Sequence, residues 1–133
     1  MNPTTVTYFW VMAAGALGTA SRMALSNFFS ERYGPGFPVG TVVVNVTGCI
    51  VIGFLSALFS PNGPFLVSPL VRTALLIGFL GGYTTFSSFS LQTISLLQDG
   101  EWLYAGLNVG LSVALCLIGT WLGIQGAALC GVK

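Results

Sequence analysis

The segment Gly78-Phe-Leu-Gly-Gly-Tyr-Thr-Thr-Phe-Ser-Ser-Phe-Ser90 decides the fold of this chain, because its composition contrasts with its surroundings. It lies in a stretch without formal charge, from Thr73 to Gln98, yet it holds adjacent glycines, serines, threonines and two phenylalanines three residues apart. A helix that only had to dissolve in lipid would not need these residues. Irregular backbone at membrane depth is tolerated only where protein or a water-filled cavity receives its polar groups. The segment therefore predicts a polar pathway inside a membrane protein.

The composition of the whole chain supports a membrane setting. Of the 133 residues, 54% are hydrophobic and only 5% are charged, whereas soluble domains carry roughly 25% charged residues. The bilayer is therefore the expected solvent. The net charge of +1 gives no support to nucleic-acid binding.

Charged and turn-forming residues divide the chain into apolar stretches. A spanning helix needs about 20 predominantly apolar residues. The sequence predicts an all-α membrane protein with one four-helix transmembrane domain, whose spans cover residues 5–29, 39–59, 70–98 and 102–130. A break of the third helix at Gly81-Gly82, just before Thr84, is one interpretation of the opening segment, and a kink made for packing is the other.

Small residues on the fourth helix suggest close helix contacts. Gly106-xxx-Gly110 and Gly119-xxx-Gly123 are patterns that let helix backbones approach each other. They fit internal packing and subunit contact equally well. Four short helices can hardly enclose a pore and also shield it from lipid, so a homo-oligomer is expected.

The basic residues are shared evenly between the two sides of the membrane. With four spans, Arg72 and Lys133 lie on one side, and Arg22 and Arg32 lie on the other. Orientation depends on a Lys/Arg bias between the sides. A chain without bias could insert both ways, unless the exact helix ends tip the balance.

Polar and aromatic residues mark the candidate pathway. Asn45 sits in the middle of the second span, where it fits an interhelical hydrogen bond and a pathway ligand equally well. Phe86 and Phe89 share one helix face, which is usual for core packing, but Thr85 and Ser90 flank them as hydroxyls. The positive edge of a phenyl ring can meet a small anion without the full charge that would hold it too tightly.

Two further features have more than one interpretation. Asn108, Ser112 and Cys116 form a mildly polar stripe with a spacing of four on the fourth helix. Arg22 is either a snorkelling interfacial arginine or a residue that attracts anions at a vestibule. The cysteines lack metal-ligand spacing and are expected to be buried small hydrophobes.

The sequence offers no catalytic set, so an enzyme is not expected. It has no histidine, and no nucleophile–base pair can be assembled. No acid lies within a span, which argues against a proton-coupled multidrug exporter, where an intramembrane acid is expected.

The sequence resembles the small bacterial fluoride channels, the Fluc or CrcB family. The resemblance covers essentially the whole chain and rests on Gly18…Arg22, on Gly40-Thr…Asn45…Gly48 and above all on the opening segment. It implies four helices, with the third broken in the membrane. It also implies an antiparallel, dual-topology homodimer in the bacterial inner membrane, with two fluoride pores.

The resemblance also assigns roles to residues. Phe86 and Phe89 would present their ring edges to fluoride, Asn45 would line the pore beside them, and Ser112 matches a hydroxyl of a polar track. The main-chain carbonyls of Gly81 and Thr84 in both subunits would hold a structural sodium ion at the dimer centre.

Three positions depart from the family pattern. Cys116 stands where another hydroxyl of the track is expected, Gln92 where related chains often carry glutamate, and Tyr83 where leucine is more usual. The expected function is passive, fluoride-selective export that lowers cytoplasmic fluoride. The alternatives are a small multidrug-type transporter and an assembly subunit of a larger membrane complex.

Overall fold

The computed structural model describes residues 2–61 and 63–131 of the chain, and every regular element in these ranges is helical. The helices are α1 (Pro3–Tyr33), α2 (Val39–Leu58), α3 (69–83), α4 (Phe86–Gln98) and α5 (Trp102–Ala128). α3 and α4 are the two halves of the predicted third span. The prediction of an all-α protein is confirmed.

Three of these helical stretches are long and apolar enough to cross a membrane: α2, the bent pair α3 and α4 taken together, and α5. α1 is also long enough, with 31 residues, but it carries more polar residues than the others. Its crossing remains a prediction, which its packing along α3 supports. Lys133, which entered the charge count, lies outside the described residues.

Local sequence signals explain where the helices begin. The side chain of Asn2 accepts a hydrogen bond from the N–H of Thr4 at 3.1 Å, and proline follows at the first helical position. Ser68 does the same for α3 by accepting from the N–H of Val71 at 3.3 Å. Side-chain caps of this kind satisfy N–H groups that the first helical turn leaves free, and proline suits that position.

Glycine contacts hold the helices together. A Cβ atom at Gly18 of α1 would meet the carbonyl of Phe79, and one at Gly123 of α5 would meet the carbonyl of Ile50. The pattern Gly119-xxx-Gly123 therefore serves internal packing of α5 on α2. A Cβ atom at Gly106 or Gly110 would meet nothing within 4 Å. The surface around Gly106-xxx-Gly110 is therefore not covered by another helix of the same chain.

The interruption of the third span lies at Thr84 and Thr85, not at the glycines. Both threonines are extended, with φ −78°, ψ 156° and φ −151°, ψ 112°. Gly81 and Gly82 belong to the last turn of α3, so the predicted position of the break is wrong by a few residues. Gly82 packs instead, since a Cβ atom there would meet the carbonyl of Gly15 on α1.

A second irregularity precedes the break. Residues Ala74–Phe79 of α3 form a π-helical turn, a feature that is rare and frequently found at functional sites. Within it, a Cβ atom at Gly78 would lie 2.9 Å from the carbonyl of Val11. The π turn therefore lies within the contact of α3 with α1.

Candidate functional site

One side chain receives the backbone groups that the break exposes. The amide of Asn45 on α2 donates to the carbonyl of Thr85 at 3.0 Å, and its Oδ1 accepts from the N–H of Thr85 at 2.7 Å. Extended backbone at this depth would otherwise be unsatisfied, at a cost of several kcal/mol by the general argument for lipid-buried polar groups. Asn45 thus makes the interhelical hydrogen bond that was one of its two predicted roles.

Thr85 also starts the next helix. Its Oγ1 accepts from the N–H of Ser88 at 3.2 Å and donates to the Ser88 hydroxyl at 3.0 Å, and the Ser87 hydroxyl lies 3.2 Å away. This is the geometry of an N-cap. The hydroxyls of the opening segment are therefore used at the break itself, where they replace the missing helical hydrogen bonds.

The break leaves several main-chain carbonyls without their helical partners, and those of Gly81 and Thr84 are among them. In a continuous helix the N–H of Thr85 would donate to Gly81, but it donates to Asn45. In the same way, the N–H of Ser88 would donate to the carbonyl of Thr84 in a continuous helix, but it donates to the Thr85 hydroxyl. Carbonyl oxygens are the ligands that hard cations prefer. Both carbonyls are thus chemically suited to a cation, and Gly81 is exposed on the single chain.

A cavity of about 330 Å³ opens beside the break. It is enclosed by α2, α4, α5 and the two extended threonines, and its lining residues carry no formal charge: Asn45, Gly48, Cys49, Ile52, Thr84, Thr85, Phe86, Phe89, Ser112, Val113, Cys116 and Leu117. The site thus offers an amide, hydroxyls, thiols and ring edges within an apolar wall. Such a site suits a small ion that passes through, because neither an acid nor a base of the lining can trap it.

The predicted phenylalanine pair forms one wall of this cavity. The ring centroids of Phe86 and Phe89 lie 5.2 Å apart at 49°. Phe89 is buried, with 8% of its surface exposed, whereas Phe86 is 75% exposed on the single chain. Phe89 is therefore held by the fold, and Phe86 projects from it at the cavity mouth.

A chain of hydrogen bonds fixes Ser112 and Phe89. Asn108 is fully buried, and its amide donates to Thr93 Oγ1 at 2.9 Å. Thr93 in turn donates to the carbonyl of Phe89 at 2.8 Å. The Ser112 hydroxyl faces Asn108 Oδ1 at 3.5 Å. Asn108 thus couples α5 to α4 next to the cavity.

The predicted site residues do not all meet in the cavity. Asn45, Thr85, Phe86, Phe89 and Ser112 line it, as does Thr84. Ser90 and Arg22 do not line it: Ser90 donates to the carbonyl of Phe86 on its own helix at 2.9 Å, and Arg22 is part of α1.

The structure shows the surroundings of two of the three departures, Tyr83 and Gln92. The Tyr83 hydroxyl lies 2.8 Å from Thr47 Oγ1, and its ring stacks on Phe79 at 6.1 Å. A tyrosine here therefore ties the end of α3 to α2. The buried Oε1 of Gln92 has no hydrogen-bond partner among the described residues.

Sequence reasoning missed what three residues in or beside the cavity do. The sequence pattern indicates only that Asn108 belongs to a polar stripe, whereas in the structure it bridges two helices. Cys49 was assigned to packing, yet it lines the cavity. Gly48 makes room for the break, because a Cβ atom there would meet the Thr84 side chain. A spacing of four links Asn45 to Cys49, and this signal was available in the sequence.

Comparison with known proteins identifies relatives across nearly the whole chain. Residues 9–124 match the family described as "CrcB-like protein, Camphor Resistance (CrcB)". A protein of Opitutus terrae named fluoride-specific ion channel FluC is 51% identical over 116 residues, which cover 87% of this chain and 88% of that protein. Proteins of the same name from Rhodospirillum rubrum (49% identity, 93% and 96% coverage) and Coxiella burnetii (48% identity, 85% and 90% coverage) are also similar.

Proposed function

This chain belongs to the CrcB-like family, and from that premise we propose that it is a passive, fluoride-selective ion channel. The observation that carries the proposal is the extent of the similarity: relatives named as fluoride-specific channels match most of the chain. The family match at residues 9–124 also includes every residue of the uncharged cavity. The protein is a multi-pass membrane protein and is not an enzyme.

The cavity has the chemistry that fluoride conduction requires. Fluoride is strongly hydrated, so a pore must replace its water with other donors and still release the ion. The second N–H of the Asn45 amide can donate a hydrogen bond, and the Ser112 hydroxyl can do so when it turns away from Asn108 Oδ1. The edges of Phe86 and Phe89 carry partial positive charge. None of these groups bears a full charge, so binding stays weak enough for release.

The direction of transport follows from simple electrostatics. Hydrogen fluoride crosses membranes as a neutral molecule and ionises in the more alkaline cell interior, where the anion is trapped. A negative membrane potential then favours the exit of fluoride by about 2.3 kcal/mol per 100 mV. A passive channel in the bacterial inner membrane would therefore lower cytoplasmic fluoride without an energy source of its own.

The active unit we propose is an antiparallel homodimer with two pores. The single chain supports this in two ways: Phe86 projects from the fold with most of its surface uncovered, and the cavity is open on one side. A second copy would cover both, and lipid would face the remaining apolar surface.

A structural sodium ion is the proposed cofactor at the dimer centre. The main-chain carbonyls of Gly81 and Thr84 would hold it, and the break frees both from their helical hydrogen bonds. When bound, the ion would neutralise the carbonyl dipoles that two facing breaks bring together.

Efflux from liposomes tests the proposed function. Purified protein is reconstituted into vesicles loaded with potassium fluoride, valinomycin is added to release the membrane potential, and a fluoride electrode records efflux. We expect rapid fluoride efflux that needs no proton gradient, and no comparable efflux from vesicles loaded with chloride. Efflux that requires a proton gradient would favour the transporter alternative, and no flux from the protein alone would favour an assembly subunit.

A further inference from the structure

Two cysteine side chains meet in the wall of the cavity. Cys49 of α2 and Cys116 of α5 both line it, so their thiols border the same space. Both are half-buried and free of disulfide bonds. The pair is therefore reachable from the cavity, with both thiols free to bind a ligand.

The packing of α2 on α5 explains why these residues face each other. Gly53 of α2 contacts Thr120 of α5, since a Cβ atom at Gly53 would meet the Thr120 carbonyl. Cys49 and Cys116 each precede this contact by four residues, which is about one helical turn. Asn45 and Ser112 precede it by a further turn and line the same cavity. The thiol pair is thus the layer directly next to the proposed ion-binding groups.

We propose that Cys49 and Cys116 form a two-coordinate site for a thiophilic divalent cation, namely Hg²⁺, and that a metal ion bound there closes the pathway. The second part rests on the proposed function. Both ligands are sulfur atoms, which soft metals select over harder oxygen ligands. Two ligands complete the preferred linear coordination of Hg²⁺, so no third side chain is needed.

The charge balance of this site also favours a divalent ion. Two S–H bonds are lost and two Hg–S bonds form, the two protons pass to water, and no group is oxidised or reduced. The product is neutral, which an apolar, membrane-embedded cavity accepts at lower cost than a charge. A monovalent soft cation on the same two thiolates would leave a net negative charge next to a path for anions.

The site lies where a bound ion obstructs passage. Phe89 and Ser112 line the cavity together with both cysteines, and the whole cavity has a volume of only about 330 Å³. A metal between the thiols removes space next to the ring edge and the hydroxyl that we assign to fluoride. Loss of fluoride efflux is the expected consequence.

The experiment uses the Cys130→Ser protein as its parent, because Cys130 is exposed and lies outside the cavity. Reconstituted parent protein and its Cys49→Ser and Cys116→Ser derivatives are treated with HgCl2 and washed with a monothiol. The wash strips metal from a single sulfur more readily than from a chelating pair, because the second bond of a chelate forms intramolecularly. Bound mercury is counted by mass spectrometry, and fluoride efflux is compared before and after treatment for each variant.

We expect the parent to retain one Hg²⁺ per chain and to lose its fluoride efflux. Both derivatives should release the metal and keep the efflux that they had before treatment. Equal retention by either derivative would overturn the paired site. Retention by the parent with undiminished efflux would overturn its position in the pathway. A parent without efflux before treatment would contradict the proposed function, while the mercury count still decides the paired site. Alanine replaces serine in any derivative that fails to fold.

Discussion

At Thr85, both main-chain groups exposed by the helix break are bound by the amide of Asn45, at 2.7 and 3.0 Å. An asparagine suits this position because its side chain offers a donor and an acceptor together, as a peptide group does. The sequence could not decide between a packing and a pathway role for Asn45, because its partner lies 40 residues away. Asn45 lines the cavity as well, so the two roles are compatible.

Replacing Asn45 tests how much the break depends on it. Asn45→Leu keeps a similar size but leaves the N–H and the carbonyl of Thr85 without partners, which costs about 1–3 kcal/mol per group. We expect a clear loss of thermal stability in detergent. Ser56→Ala is the matched control on the same helix, since Ser56 donates only to the carbonyl of Gly53 in its own helix. Equal stability of the two variants would contradict the proposed role of Asn45.

At the scale of the helices, glycines bring neighbouring helices close together, and threonines form the break. Adjacent glycines are compatible with both a break and a close contact, and their spacing does not distinguish the two. The decision comes from tertiary contacts: Gly82 is pressed against Gly15 of α1, whereas the extended conformation of Thr84 and Thr85 is stabilised by Asn45. The π turn at Ala74–Phe79 has an unremarkable apolar sequence, so no local signal predicts it.

The two glycine pairs of α5 provide a test at this scale. Gly123→Ala places a methyl group against the Ile50 carbonyl, and overpacking of this kind costs about 1–3 kcal/mol. Gly110→Ala, in the same helix, meets nothing within 4 Å on the single chain and gains helix propensity. We expect the unfolding temperature of the reconstituted or detergent-solubilised protein to be lower for Gly123→Ala than for Gly110→Ala. The reverse order would show that α5 does not pack on α2 as described.

The sequence predicted the helical class and the extent of most elements, because lipid demands long uncharged stretches and the few charges mark their ends. It also identified Phe86, Phe89 and Ser112 as neighbours through a helical spacing and a family resemblance. It could not show that Asn108 bridges to Thr93, because that contact depends on how α4 and α5 turn towards each other. Nor could it show that Ser90 does not line the cavity.

For the whole molecule, the open side of the cavity and the even charge distribution both agree with the proposed antiparallel dimer. Arg22 and Arg32 lie on one predicted side of the membrane, with Arg72 and Lys133 on the other, so neither orientation is strongly favoured. An antiparallel dimer needs both orientations in one membrane. In the proposed dimer, the uncovered surface of Phe86 would become part of a pore that the second subunit completes.

Dual orientation can be measured directly. The protein is expressed without its native cysteines and with an added C-terminal tag that bears one cysteine. A cysteine-reactive, membrane-impermeant label is then applied to the cells. We expect about half of the tags to react from outside and the rest only after the membrane is opened, since the charge bias is close to zero. A single orientation in all molecules would contradict the antiparallel dimer.

Sodium removal tests the proposed cofactor without altering any side chain. If the carbonyls of Gly81 and Thr84 hold sodium at the dimer centre, binding stabilises the assembled state according to the ion concentration. We expect the thermal transition of the purified protein to fall when sodium is replaced by N-methylglucamine and to recover when sodium is returned. Replacement of potassium by N-methylglucamine, in the constant presence of sodium, is the control and should leave the transition unchanged. A transition indifferent to sodium would contradict this site.

The central claim, that fluoride passes the phenylalanine pair beside the helix break, is tested most directly by fluoride efflux from liposomes containing Phe86→Ile or Phe89→Ile protein. Isoleucine keeps the site apolar but removes the ring edge that we propose meets the anion. Phe9→Ile, on α1 and outside the cavity, is the matched control. The account predicts that both pore variants lose fluoride efflux and still form dimers, while the control conducts as the unaltered protein does. Unchanged efflux through dimers of either pore variant would contradict it.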